Sequence, residues 1–149
     1  MASPKHKPRL TTIVAVALGG VIGAVARVYL PWPSLTSVAD LSDPLPTVLV
    51  NLSGAIFLGL IAGYTTQRAW PDPLQKGLAV GLLGSFTTMS GLALAISLRV
   101  MGYPPFSAGV SLDIIWRAVT VFLALAVLLG VTTWCTLMSY RIGIRMGRR

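Results

Sequence analysis

Charged residues are scarce in this 149-residue chain, at 11% of the sequence compared with about 25% in soluble proteins. Only four residues are acidic, whereas 54% are hydrophobic. So few charges cannot cover a surface that faces water. The composition therefore excludes an ordinary soluble domain and predicts an integral membrane protein.

Cysteine and histidine are almost absent, which limits the chemistry available to the chain. The single cysteine, Cys135, excludes an internal disulfide and lies in an apolar run. The single histidine, His6, lies in a basic N-terminal tail. The sequence contains no acid–base pair, no nucleophile with its activating base and no metal-ligand cluster, so we do not expect an enzyme.

Basic residues outnumber acidic ones and give a formal net charge of +8. They flank apolar runs instead of forming a patch interleaved with aromatic residues. The first arrangement is typical of membrane topology and the second of nucleic-acid binding. Nucleic acid is therefore excluded as a partner.

Four uncharged runs of 17 to 24 residues divide the sequence. Each is close to the roughly 20 residues that cross the hydrocarbon core of a bilayer as a helix. We therefore predict an all-α, four-helix membrane subunit that forms one domain over residues 1–149. The predicted parts are a tail at 1–9 and spans at about 10–30, 44–67, 76–99 and 114–139.

The positive charges are distributed unequally between the two sides of these spans. With four spans, the tail, the second connection and the C-terminus share one side, which holds nine of the twelve Lys and Arg residues. Arg27, Arg99 and Arg117 lie on the other side. Positive residues stay in the cytoplasm, so we predict a multi-pass plasma-membrane protein with both termini inside. The basic stretch Arg141–Arg149 is expected to meet anionic lipid headgroups.

The third run contains an unusual stretch, Gly81–Ser90, with the sequence GLLGSFTTMS. Glycine and threonine weaken a helix, and hydroxyl groups compete for its backbone hydrogen bonds. In hydrocarbon, non-helical backbone must be buried in protein or line a polar cavity. The stretch therefore indicates either a functional break in the third span or close packing against a neighbouring helix.

Small residues recur every four positions on the first helix at Ala15, Gly19 and Gly23, and on the second at Gly59 and Gly63. Such stripes let membrane helices approach closely. The second stripe begins at Asn51, whose amide needs partners in a membrane. Asn51 therefore marks either an ion pathway or an interhelical hydrogen bond.

Three stretches carry a resemblance to a known family. They are GGVIGAVARVY (Gly19–Tyr29), TVLVNLSGAIFLG (Thr47–Gly59) and GLLGSFTTMSG (Gly81–Gly91). In order and spacing they resemble the signature stretches of the CrcB/Fluc fluoride channels. The resemblance covers the first three spans, and the number of spans agrees with it.

The resemblance implies an antiparallel dimer with two fluoride pores at its interface. It also implies a structural Na+ at the centre of the dimer, bound by backbone oxygens where the third helix breaks. Matched by position, Gly84 and Thr87 would supply those oxygens. Asn51 would be the amide that faces the pore, and Arg27 the cation of the vestibule.

The chain departs from the family pattern after the two threonines. The family reads roughly TTFSTFSxE, and this chain reads TTMSGLALA. The two pore phenylalanines therefore fall on Met89 and Leu92, beside the hydroxyls of Thr88 and Ser90. Aliphatic residues replace the polar track of the fourth helix. The candidate replacements for that track are Thr132, Thr133 and Thr136.

The resemblance implies a fluoride-specific channel subunit that lets fluoride leave the cytoplasm and so lowers its intracellular concentration. One interpretation is a homodimer with an unusual pore lining. The other is a heterodimer in which a second family subunit supplies the intact phenylalanines, so that this chain could be a non-conducting partner. The charge bias favours the heterodimer, because a homodimer requires insertion in both orientations. A small four-helix exporter is a further alternative, but such transporters usually need a carboxylate within the membrane.

Overall fold

A computed structural model describes residues 9–34, 43–101 and 112–149 of the chain. All regular structure within these ranges is helical, and four helices are long and apolar enough to cross a membrane. The predicted all-α, four-span class is therefore confirmed. Our expectations for residues 1–8, and for the connections at 35–42 and 102–111, lie outside the described residues.

The four spans follow the apolar runs, and the third consists of several pieces. The last helix continues past the predicted end near residue 139, because its basic end stays helical and packs on the second helix. In chain order the elements are α1 (Leu10–Tyr29), α2 (Pro44–Thr65), α3 (Asp72–Lys76), the π-helix π1 (Gly77–Leu83), α4 (Gly84–Phe86), α5 (Met89–Met101) and α6 (Leu112–Gly147).

The third span is broken near its middle, which is one of the two alternatives that the glycines and threonines of Gly81–Ser90 left open. Thr87 has extended backbone angles, with φ −80° and ψ 150°, and neither Thr87 nor Thr88 is helical. The wide π-helical turn that precedes α4 was not predicted from the sequence. A Cβ on Gly81 would collide with the carbonyl of Val16, so this turn lies directly on the backbone of α1.

Helix α1 packs against the first half of the third span through its stripe of glycines. A Cβ on Gly19 would collide with the carbonyl of Gly77, and one on Gly23 with the carbonyl of Leu82. The two backbones therefore touch, and dispersion contacts of this kind drive helix association in lipid. The expected role of this stripe in helix packing is confirmed.

Helix α2 packs against α6 in the same way. A Cβ on Gly59 would collide with the carbonyl of Thr136, and one on Gly63 with the carbonyl of Tyr140. Near the end of α6, Gly143 is equally close to the carbonyl of Leu60. The subunit is thus built from two close helix pairs, α1 with the first half of the third span and α2 with α6, and the second half of the third span contacts α2 and α6.

The outer faces of the helices are strongly apolar, and few side chains are fully buried. Leu92, Ile96 and Val121 form a small core between α5 and α6. Large side chains such as Leu18 and Phe122 remain exposed, at 60% and 72%. A protein in water does not expose apolar surface continuously around its helices. This surface and the four spans identify a multi-pass membrane protein.

Candidate functional site at the break in the third span

One side-chain amide of α2 forms hydrogen bonds with the backbone at the break. Asn51 Nδ2 donates a hydrogen bond to Thr88 O at 2.9 Å, and Thr88 N donates to Asn51 Oδ1 at 2.7 Å. Asn51 is only 5% exposed, so its amide would be costly to leave unpaired. Of the two roles left open for Asn51, the structure shows the interhelical bond, and its partner is the backbone of the break.

The two half-helices end and begin with hydrogen bonds from the threonine side chains. Thr87 N and Thr87 Oγ1 both donate to Leu83 O, each at 3.1 Å, which closes the end of α4. Thr88 Oγ1 accepts from Gly91 N at 3.2 Å, which is the usual N-cap interaction at the start of a helix. Thr87 therefore closes the end of α4, and Thr88 caps the start of α5.

These bonds divert two backbone donors from the carbonyls they would meet in a continuous helix. In such a helix the N–H of residue 88 would bond to Gly84 O, and that of residue 91 to Thr87 O. Here Thr88 N donates to Asn51, and Gly91 N donates to Thr88 Oγ1. The carbonyl oxygens of Gly84 and Thr87 thus lose their helical donors.

A cavity of about 230 Å³ opens beside the break. It is bounded by α2, by the broken span and by α6, so three of the four spans contribute to it. Its lining includes four residues that the family resemblance assigned to the sodium site or the pore: Asn51, Gly84, Thr87 and Met89. The cavity also receives the three α6 threonines: Thr132, Thr133 and Thr136.

The hydroxyl groups of these threonines differ in whether they donate a hydrogen bond to a carbonyl of their own helix. Thr132 Oγ1 donates to Leu128 O at 2.9 Å, and Thr136 Oγ1 donates to Thr132 O at 2.8 Å. Such back-bonding occupies the hydroxyl proton within the helix. In the described ranges Thr133 makes no bond of this kind. Thr133 is thus the α6 hydroxyl whose proton is available to the cavity.

The remaining predicted site residues lie elsewhere. Ser90 is exposed, with its hydroxyl 3.3 Å from Thr88 Oγ1. Leu92 is 2% exposed within the core between α5 and α6 and does not line the cavity. Arg27 lines a separate small cavity, of about 80 Å³, with Thr88 at its inner side. Adjacent residues of the break line the two cavities, Thr87 the first and Thr88 the second.

Sequence reasoning missed two residues at this site. Gly54 packs so tightly on the break that a Cβ there would collide with Thr87 Cγ2. Its position one turn after Asn51, facing the same neighbour, is the signal that could have identified it. Trp32 lines the small cavity beside Arg27. No sequence pattern indicated its orientation, because it lies in a connection after α1.

Comparison with known proteins identifies one family over most of the chain. Residues 14–131 match the family described as "CrcB-like protein, Camphor Resistance (CrcB)". The matched region contains the break in the third span and all lining residues of the Arg27 cavity. It also contains the lining of the larger cavity, apart from Thr132, Thr133 and Thr136. No solved structure matches the chain.

Several curated relatives each match a little over half of the sequence. The chain is 42% identical over 80 residues to "Fluoride-specific ion channel FluC 2" of Symbiobacterium thermophilum, covering 52% of this chain and 63% of the relative. It is 40% identical over 79 residues to "Fluoride-specific ion channel FluC" of Koribacter versatilis, covering 52% and 62%. A protein of that name from Rhodospirillum centenum is 42% identical over 89 residues, covering 59% and 70%. In the first two cases the match spans less than two thirds of the relative.

Proposed function

Because this chain belongs to the CrcB-like family, we propose that it is a subunit of a fluoride-specific ion channel. In this function it lets fluoride leave the cytoplasm down its gradient and lowers the intracellular concentration. The relatives that carry this name match about half of the chain, and the family match over residues 14–131 includes the break. A channel catalyses no covalent step, so we propose no enzymatic activity.

The observation that carries this proposal is the buried amide of Asn51, which lines the cavity beside the break in the third span. An amide nitrogen has two protons, and the bond to Thr88 O uses one of them. The second proton remains for an anion in the cavity that Asn51 lines. Fluoride enters such a site only where donors of this kind replace its hydration water.

We propose further that the break holds a structural Na+ through the carbonyl oxygens of Gly84 and Thr87. Both oxygens have lost their helical donors, and both residues line the cavity. Hard cations prefer such oxygen ligands. Bound there, Na+ would supply a fixed positive charge that holds the break open. A Cβ at Gly84 would meet nothing nearer than Ala79 O at 4.0 Å, so there is room for a second subunit to approach.

The partner in this proposal is a second family subunit inserted in the opposite orientation. The nine-to-three distribution of basic residues favours an orientation with both termini in the cytoplasm. A mate of opposite orientation is then a different chain with the opposite charge bias. The basic end of α6, with Arg141, Arg145 and Arg148 exposed along one face, would meet anionic headgroups on the cytoplasmic side.

A non-conducting role within that heterodimer is the second candidate. Of the two positions where the family has pore phenylalanines, Met89 lines the cavity and Leu92 is buried in the core. A small proton-coupled exporter is less consistent with the structure. In the described ranges, Asp43, Asp72 and Asp113 all lie at the starts of helices and not at mid-span.

The decisive experiment is fluoride efflux from liposomes, followed with a fluoride electrode, with chloride as the matched ion. We expect no efflux from the chain alone, and fluoride efflux without chloride efflux after co-expression with a subunit of opposite charge bias. Fluoride efflux from the chain alone would establish a homodimeric channel and contradict the heterodimer. Absence of fluoride efflux in both preparations would contradict the channel function.

A further inference from the structure

An apolar groove of about 410 Å³ runs along the outer side of α1, where α1 packs on α3 and π1. Its floor is formed by the close backbone contact at Gly19 and Gly77. Large aliphatic side chains from both sides form its walls: Leu18, Ile22, Leu74, Leu78 and Leu82. Leu18, Ile22 and Leu74 are all exposed, so the groove is open at the surface of the subunit.

The groove extends from one end of the spans into the region of the hydrocarbon core. Its lining on α1 runs from Ala15 to Ile22, which is roughly 10 Å along a helix axis at about 1.5 Å per residue. One leaflet provides about half of a hydrocarbon core that is about 30 Å thick. The other lining begins at Pro73 in α3, directly after the connection between the second and third spans. A lipid chain could therefore follow the groove from the membrane surface into one leaflet.

A positive charge without a salt bridge lies at the end of the groove near α3. Thr12 Oγ1 donates to Asp72 Oδ2 at 3.4 Å, which joins the start of α1 to α3. Lys76 Nζ pairs with the same oxygen at 2.9 Å, so the charge of Asp72 is balanced. Arg9 is exposed just before α1 and close enough to Asp72 to attract it, but within the described ranges it forms no salt bridge. These groups together leave one excess positive charge.

The first turn of α1 adds to the attraction that Arg9 has for an anion. No side chain caps this helix, and its first turn contains no acidic residue. The free N–H groups and the dipole of a helix N-terminus favour a negative group, such as a phosphate. Thr11 is exposed one turn before Ala15 on the same face of α1, so the groove continues directly to this end of the helix. A phosphate near Arg9 would therefore be in line with an apolar chain in the groove.

We propose that this groove binds one anionic phospholipid, with an acyl chain between α1 and π1 and the phosphate beside Arg9. The aliphatic walls match the chain, and the excess positive charge matches the headgroup. Arg9 belongs to the side of the spans that holds nine of the twelve basic residues, where anionic headgroups are expected. A zwitterionic lipid brings its own cation to Arg9, so the site should prefer an anionic lipid. The groove shares no lining residue with the two cavities at the break, so the proposal does not rest on the channel function.

Native mass spectrometry of the full chain, released from detergent in the presence of added lipid, tests this site. We expect one phosphatidylglycerol to stay bound to each chain, whereas phosphatidylcholine with the same acyl chains dissociates. Glycerol 3-phosphate, which has the phosphate without the chains, should not displace the bound lipid. Equal retention of the two lipids, or retention of neither, would overturn the proposal. Displacement by glycerol 3-phosphate would also overturn it, because the groove would then contribute nothing.

A charge variant tests whether the phosphate lies beside Arg9. Arg9→Gln should lower the affinity for phosphatidylglycerol by about fivefold, the effect of one basic residue near an anionic headgroup. Arg145→Gln is the matched control, because Arg145 is exposed on the same predicted side but lies at the end of α6. Equal affinities in the two variants would show general attraction to basic residues and would contradict this site.

A variant that fills the groove tests where the acyl chain lies. Leu18→Trp should displace phosphatidylglycerol, whereas Leu123→Trp should not, because Leu123 is equally exposed, at 62% against 60%, but lies on α6 outside the groove. Thermal unfolding checks that both variants are folded, and Arg9→Gln tests the site even if Leu18→Trp is not. If Leu18→Trp abolishes a dimer and leaves the lipid bound, the groove is a subunit interface and the proposal is wrong. None of these measurements needs ion flux, so failure of the lipid site is distinguishable from failure of the channel function.

Discussion

Asn51 and Thr88 exchange two hydrogen bonds across the break, at 2.9 and 2.7 Å. One side-chain amide thereby bonds to both the backbone N–H and the backbone C=O of Thr88, a residue outside the helices. In a membrane the Thr88 N–H would otherwise lack a partner, because no water is available in the bilayer core. Thr88 O also accepts a longer hydrogen bond from Leu92 N, at 3.4 Å. The same pairing keeps Thr88 N away from Gly84 O. The side chain that stabilises the break therefore also exposes a carbonyl that a cation could use.

Replacing Asn51 with alanine should destabilise the protein, because the backbone of Thr88 loses its hydrogen bonds to the Asn51 amide. The Thr88 N–H loses its acceptor, and each buried group left unsatisfied costs about 1–3 kcal/mol. Ser53→Ala is the matched control, because Ser53 Oγ bonds only to Val50 O in its own helix. Thermal unfolding in detergent, followed by circular dichroism, should show a clearly lower midpoint for Asn51→Ala. Equal unfolding midpoints would mean that the hydrogen bonds between Asn51 and Thr88 contribute nothing to stability.

The broken span was predictable, whereas its partner was not. Glycines and adjacent threonines in Gly81–Ser90 weaken a helix whatever surrounds them, so these residues left a break or close helix packing as the two alternatives, and the family resemblance favoured the break. Whether Asn51 faced an ion or another helix could not be decided from its spacing, because both roles need a buried amide. The orientation of Trp32 also could not be predicted from the sequence, because it depends on how the connection after α1 packs against the helices.

Glycine contacts between α1 and the third span give a second prediction. Gly23→Ala places a methyl group against the carbonyl of Leu82, and overpacking of this kind costs about 1–3 kcal/mol. Gly130→Ala is the matched control, because no atom lies within 4 Å of its added Cβ. There alanine should stabilise the helix by about 0.5–1 kcal/mol. Unfolding midpoints should therefore move in opposite directions, and a tolerated Gly23→Ala would contradict the contact.

The length of α6 shows another limit of sequence reasoning. An apolar run marks where a helix is in lipid but does not say where the helix ends. Arginine is a good helix former, so the basic stretch after Tyr140 is compatible with either a coil or a continued helix. Packing decides: Gly143 fits against Leu60, and the helix runs on to Gly147 along the end of α2.

The last turn of α6 should depend on one cation from the connection after α2. Arg68 Nε donates to Gly147 O at 3.0 Å, and a cation at a helix C-terminus also interacts favourably with the helix dipole. Arg68→Gln should therefore speed hydrogen exchange in the C-terminal peptide by a few-fold, without changing exchange in α1. Lys76→Gln removes only an exposed pair with Asp72 and serves as the control. Equal C-terminal exchange in both variants would show that Arg68 does not hold the helix end.

Ion flux should be most sensitive to Thr133 among the cavity threonines. The hydroxyl protons of Thr132 and Thr136 are bonded within α6, whereas that of Thr133 is available to an anion in the cavity. Thr133→Val removes this donor and keeps the shape of the side chain. We expect fluoride efflux to fall by roughly tenfold, the effect of one hydrogen bond to a charged group.

Two variants of the same helix make this flux prediction specific. Thr136→Val should have a smaller effect, because the proton it removes already bonds to Thr132 O. Thr120→Val should have none, since Thr120 donates to Trp116 O and does not line the cavity. Efflux is measured from liposomes with a fluoride electrode, in whichever assembly conducts. If Thr133→Val conducts as fast as Thr120→Val, the hydroxyl of Thr133 does not contact the ion, and Asn51 is the remaining donor that we propose for this cavity.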